Sequence, residues 1–170
     1  ENLPDVLPWM LTLRAEVARA QGDDRQAESN YQVGLETDSQ YNHVKRAYAD
    51  FLLDRQREGE VLAMLGDDLS DNGLMLAAAL AAQQTGQAAQ ASEWEQQLAD
   101  RFRETRLRGD RPHGRYEARF ALELQNDPQR ALKLALANWE VQKELRDTRN
   151  VLAAALAAGN PEAAAKVIGF

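Results

Sequence analysis

Residues 22–27 read GDDRQA, a turn residue followed five positions later by a small one, and this spacing decides the fold. It returns as Gly86 to Ala91 in GQAAQA, Asn126 to Ala131 in NDPQRA and Gly159 to Ala164 in GNPEAA. A weaker copy, Gln56 to Val61 in QREGEV, fills the one large gap. Glycine closes a helix because it enters the left-handed region at no steric cost. The small residue one turn into the next helix then lets a neighbouring helix cross closely. Turns that recur every thirty to forty residues, roughly, mark stacked helical pairs. The expected fold is therefore all-α, an array of about five helix pairs.

Composition agrees. Of 170 residues, 44% are hydrophobic but only 6% aromatic, so the core is mostly Ala and Leu. Alanine loses no side-chain entropy in a helix. Five prolines interrupt the chain and β-branched residues are sparse, so no strand is expected. After a lead-in over 1–7, the pairs fall at about 8–38, 41–68, 72–108, 113–142 and 146–170, a single array over 1–170. Within them, Val44, Ala47, Tyr48, Phe51 and Leu52 recur at helical spacing, as do Ala91, Trp94, Leu98 and Phe102. Asp127-Pro128 and Asn160-Pro161 each place a capping residue before a first-turn proline.

Several chemistries are set aside on the residues themselves. A net charge of −7 lacks the basic footprint of a general nucleic-acid binder. The arginines at 101, 103, 106, 108, 111 and 115 form a local basic run, which interleaved Glu104 and Asp110 make a solvated helix end. There is no cysteine, hence no disulfide or thiol chemistry. No apolar run approaches the length of a membrane span. His113 and Glu117 stand four apart but lack a third metal ligand. Glu93 and Glu95 flank Trp94 on different helix faces, so they do not pair for acid–base work. Phosphate-binding glycine loops, nucleophile elbows and zinc signatures are absent. No enzyme activity and no cofactor are expected. The chain opens on Glu1 rather than Met, which reads as an excerpt or a processed product.

The chain resembles the tetratricopeptide repeat family, whose helix-turn-helix unit has about 34 residues. The family's small residue at repeat position 8 falls on Ala15 and Ala79, and its turn glycine on Gly22, Gly86 and Gly159. Its alanine at position 20 falls on Ala27, Ala91, Ala131 and Ala164, with Tyr31 and Gly34 at positions 24 and 27. The proline of position 32 is absent throughout, the second unit keeps few markers, and the interval from the third to the fourth turn is stretched to forty residues. The stretches YADFLLDRQR, HGRYEARFALEL and ALANWEVQKE also look like the C-terminal part of exported bacterial repeat proteins. That likeness implies a bacterial origin and favours the periplasm over the cytoplasm.

The resemblance implies a right-handed superhelix whose concave face is lined by the first helix of each pair. Family geometry brings His43, Arg46, Asp50, Leu76, Leu80, His113, Tyr116, Phe120, Arg146 and Arg149 to that face. Basic and aromatic residues would there edge an apolar middle, which suits a peptide or protein partner bearing a carboxylate. The family's clamp for chaperone C-termini is broken, since Asp50, Ala77 and Glu117 occupy positions where it needs other residues. Two functions are expected in order: a non-catalytic scaffold that binds a peptide or protein segment in the groove, and an assembly module. The apolar end AAAKVIGF supports the second, through a homodimer by terminal helices or contact with flanking repeats.

Overall fold

A computed structural model describes residues 6–109 and 114–168. Ten α-helices and no strand occur among them. The pairs are α1 (Val6–Ala20) with α2 (Asp24–Thr37), α3 (Asn42–Asp54) with α4 (Glu58–Leu65), and α5 (Asn72–Gln84) with α6 (Ala88–Leu107). They continue with α7 (Gly114–Arg119) and α8 (Pro128–Trp139), then α9 (Leu145–Ala157) and α10 (Pro161–Ile168). A π-helical segment, Phe120–Leu124, extends α7.

All five turn residues read from the sequence take the left-handed conformation. Gly22, Gly86 and Gly159 have φ of 79°, 77° and 65°, and the two non-glycine turns, Gln56 and Asn126, have φ of 57° and 50°. The cause is a shared helix ending. The amide after each turn residue bonds back into the preceding helix: Asp23 to Ala18 O at 2.9 Å, Arg57 to Leu52 O at 3.0 Å, Gln87 to Ala82 O at 2.8 Å and Asn160 to Ala155 O at 2.9 Å. Such a bond reaches five residues back only through a left-handed residue. The small residue beyond each turn is buried, with Ala27, Val61 and Ala131 at 0% exposure. Asp23, Asp71 and Asp127 cap the helices that follow them by accepting backbone N–H bonds.

The chain divides into two compact units, residues 1–94 and 95–170, with the division inside α6. In the first, α3 packs on both α1 and α2, and α5 on both α3 and α4. Tyr31 of α2 lies 5.4 Å from Tyr48 and 5.6 Å from Phe51 of α3, ring centre to ring centre. Gly34 makes room for Val44: a Cβ there would stand 3.2 Å from a Val44 methyl. Ala15, Ala47, Ala77 and Ala81 complete this core, with Trp94 against its edge.

In the second unit α8 packs on α7 and α9, and α10 on α9. Trp139 gathers with Ala118 of α7, Val151 of α9 and Val167 of α10. The π segment has a consequence for register. The Asp127 amide reaches back six residues, to Ala121 O at 2.8 Å, where the other four turns reach five. One residue has been added inside the helix, which accounts for one position of the long third interval. Everything before it in α7 is therefore displaced by one against the other first helices. Ala118 then matches Ala15 and Ala49, and Phe120 matches Phe51; all five are buried.

Candidate functional site

In the first unit the expected site residues sit on α3 and α5. His43, Arg46 and Asp50 lie three and four residues apart on one half-buried face of α3. The ring of Tyr41 is 6.0 Å from that of His43. Arg46 already holds a carboxylate of its own chain: Nη1 donates to Asp71 Oδ2 at 2.7 Å. Asp71 is also the N-cap of α5 and accepts from the Gly73 and Leu74 amides at 2.8 and 3.2 Å. An incoming carboxylate would have to displace a residue that also starts a helix. Leu76 and Leu80 present no usable surface, because α5 is buried from Gly73 through Ala82.

Behind that face runs a ladder of ion pairs. Arg19 of α1 contacts Asp54 and lies 3.6 Å from Glu16. Burial opposes the Arg19 charge, yet the Asp54 and Glu16 carboxylates raise its pKa. Tyr31 donates to Glu16 Oε1 at 2.5 Å. Burial first, and the Glu16 charge second, push the Tyr31 phenol well above its ordinary range. Glu28 accepts from both Tyr48 at 2.9 Å and Arg57 at 2.7 Å, and Arg57 also reaches Glu60.

In the second unit, His113 lies outside the described residues. Phe120 is 1% exposed and its ring lies 5.4 Å, centre to centre, from the tilted ring of Phe102, so it belongs to the core and not to a binding face. The added residue is the reason. It turns Phe120 inward and leaves Arg119, which bonds Glu123 at 2.8 Å, at the register position expected of Phe120. Tyr116 is half-buried. On α9, Arg146 is 8% exposed and its Nη1 has no hydrogen-bond partner among the described residues. Arg149 is exposed. The ten expected residues thus divide between two units, and only His43, Arg46, Asp50, Tyr116 and Arg149 combine a polar group with accessible surface among those described.

The structure also shows a buried polar centre that the sequence reading passed over. Arg115 donates to Asp147 from Nε at 2.7 Å and from Nη2 at 2.8 Å, and to Glu144 at 2.8 Å. Asn138 Nδ2 donates to the same Asp147 at 2.8 Å. Burial opposes the Arg115 charge, but Asp147 and Glu144 outweigh it and raise its pKa. Arg115 is thus a buried strut and not part of the exposed basic run. Glu117, read with His113 as a metal-ligand pair, is 3% exposed and is held by Arg106 and by Arg130, the latter at 2.7 Å. No group of three metal-ligating side chains occurs among the described residues. One signal pointed to Asp147: it stands at the distance before its turn where Val44 and Leu74 stand before theirs. A charge at an apolar register position has to be paired.

No helix among the described residues is long and apolar enough to cross a membrane. A family model of the tetratricopeptide repeat matches residues 7–107. No curated protein and no solved structure matches the chain.

Proposed function

Because the chain belongs to the tetratricopeptide repeat family, whose repeats mediate protein–protein interaction, we propose that it is a non-catalytic scaffold that holds a protein or peptide segment on its first helices. The observation that carries this reading is the outer face of α9. Arg149, Ala153 and Leu156 follow one another at helical spacing and are all exposed, while Val151, Ala154 and Ala155 turn into the core. Leu156 is 83% exposed. A cation beside an open leucine suits an amphipathic segment that offers an apolar side chain and a carboxylate. Arg46 contributes less, because its side chain is only 20% exposed.

The test is a peptide array that pairs each acidic segment with its amide counterpart, and each free C-terminus with its amidated form. Binders are then measured by fluorescence anisotropy against Arg149→Ala and Leu156→Ser. A charge-assisted hydrogen bond contributes about 1.5–3 kcal/mol, so Arg149→Ala should weaken binding by roughly tenfold or more. The loss should shrink at high salt. Equal affinity for acid and amide forms, or unchanged affinity in both variants, would move the site away from α9.

A further inference from the structure

Two arginines that the sequence reading put to separate uses stand at one register position. Arg46 lies ten residues before its turn residue Gln56, and Arg115 lies ten before Asn126 once the residue added by the π segment is set aside. Each reaches the residue that begins the next first helix. Arg46 Nη1 donates to Asp71, the N-cap of α5, at 2.7 Å, and Arg115 Nη2 donates to Glu144, the N-cap of α9, at 2.8 Å. Asp71 and Glu144 share a register position too, fifteen residues before Gly86 and Gly159. The partners are twenty-five residues apart in one pair and twenty-nine in the other, so the pairing follows the register and not the separation along the chain. The joint from α1 to α3 supplies the contrast. There the same two positions hold Thr12, whose hydroxyl donates to Pro8 O of its own helix, and Tyr41, whose side chain makes no capping bond. Among these three joints, arginine stands where the next helix begins on an acid and is missing where it does not.

The carboxylate has a second task in each case. The first-turn amides of a helix have no partner within it, and starting a helix is its costly step. Oδ1 of Asp71 accepts from the Gly73 and Leu74 amides at 2.8 and 3.2 Å, while Oδ2 is the oxygen that Arg46 holds. One oxygen starts α5 and the other ties it to α3. Fixing the second oxygen fixes the rotamer that presents the first. In the second unit Arg115 holds both members of the capping box, Glu144 and Asp147, and Asp147 accepts the Glu144 amide at 3.0 Å.

We infer that the arginine at this position is a latch that makes the start of a first helix conditional on the unit before it. The cap of α5 is firm only when α3 is docked beside it, and the cap of α9 only when α7 is. Helix initiation and unit docking become one step. A first helix without an acidic N-cap, such as α3 with Tyr41, does not answer the arginine, so the pairing also selects which first helix follows which. The latch uses neither Arg149 nor Leu156 and stands apart from the binding proposed above.

Amide hydrogen exchange followed by NMR on the full chain, with circular dichroism as a folding control, tests this. Arg46→Met keeps the aliphatic stem and removes the donors. Exchange at Gly73 and Leu74 should then speed up roughly three- to tenfold, although these amides bond to Asp71 and not to Arg46. Leu80 and Ala81, at the far end of α5, should be unchanged. Asp71→Asn keeps a favoured capping residue but removes the carboxylate that Arg46 holds, and should give the same local rise. The double variant should go no further than either single one, since both break one device. Arg25→Met removes an exposed cation of α2 and should leave both amides as they are. No change at Gly73 and Leu74 in either single variant would overturn the inference. An equal rise along the whole of α5 would do so as well, because it marks a pair that only adds to global stability, as would additive effects in the double variant.

Discussion

Removing the Asp147 carboxylate should unfold the second unit more readily than any other single change to a charged side chain described above. Its side chain has 0% exposure and its partner Arg115 has 9%. The two carboxylate oxygens accept four bonds: two from Arg115, one from Asn138 at 2.8 Å and one from the Glu144 amide at 3.0 Å. The last closes the capping box that starts α9. Asp147→Ala leaves a buried guanidinium whose remaining carboxylate partner, Glu144, is half in solvent, and it frees the Asn138 amide as well. Breaking a buried pair from one side costs about 3–5 kcal/mol, and the lost cap about 1 kcal/mol more where the two are independent. Urea unfolding followed by ellipticity, with hydrogen exchange in α9 to localise the effect, measures the loss. Two controls separate pairing from packing. Arg115→Met with Asp147→Leu removes both charges and should recover most of the roughly 3–5 kcal/mol lost with the pair, leaving the costs of the missing cap and the freed Asn138 amide. Asp100→Ala breaks a pair with Arg103 that is exposed on both sides, 42% and 62%, and should cost no more than about 1 kcal/mol. An Asp147→Ala protein within about 0.5 kcal/mol of wild type would show that the centre bears no weight in the fold.

Two further outcomes follow from the turns and the tyrosine. Gln56→Gly should stabilise the first unit by about 0.5–1 kcal/mol, the left-handed strain of a non-glycine residue less the extra chain entropy of glycine, and an unmoved urea midpoint would show that no strain resides there. Tyr31 has its phenol pKa raised above the ordinary 10.0, so the fold favours the neutral form. That contribution is whole below about pH 10 and is lost as pH climbs above it toward the folded value. Unfolding measured from pH 8 to 11 should steepen at the alkaline end, Tyr31→Phe should flatten that slope, and a Tyr31 absorbance titration centred near pH 10 in the folded protein would contradict the burial argument.

What the sequence made legible was whatever depends on the backbone. A helix can reverse into its partner through one left-handed residue, and Gly22, Gly86 and Gly159 announce that conformation by lacking a Cβ. Gln56 does not announce it, and was found only because Val61 stood five residues on. The π segment announces itself even less. No residue type selects it, so the stretched interval before Asn126 was visible but the added residue could not be placed inside α7. That single position moved Phe120 from the expected binding face into the core beside Phe102 and set Arg119 in its stead. Side-chain pairing was the least legible. Arg46 reads as a groove cation because the sequence cannot show Asp71, twenty-five residues away, accepting its N–H across the α3–α5 joint. The same ambiguity has the opposite resolution on α1. Met10, Leu13 and Val17 are apolar at the register positions of the buried Val44, Ala47 and Phe51, yet they are 50%, 44% and 52% exposed.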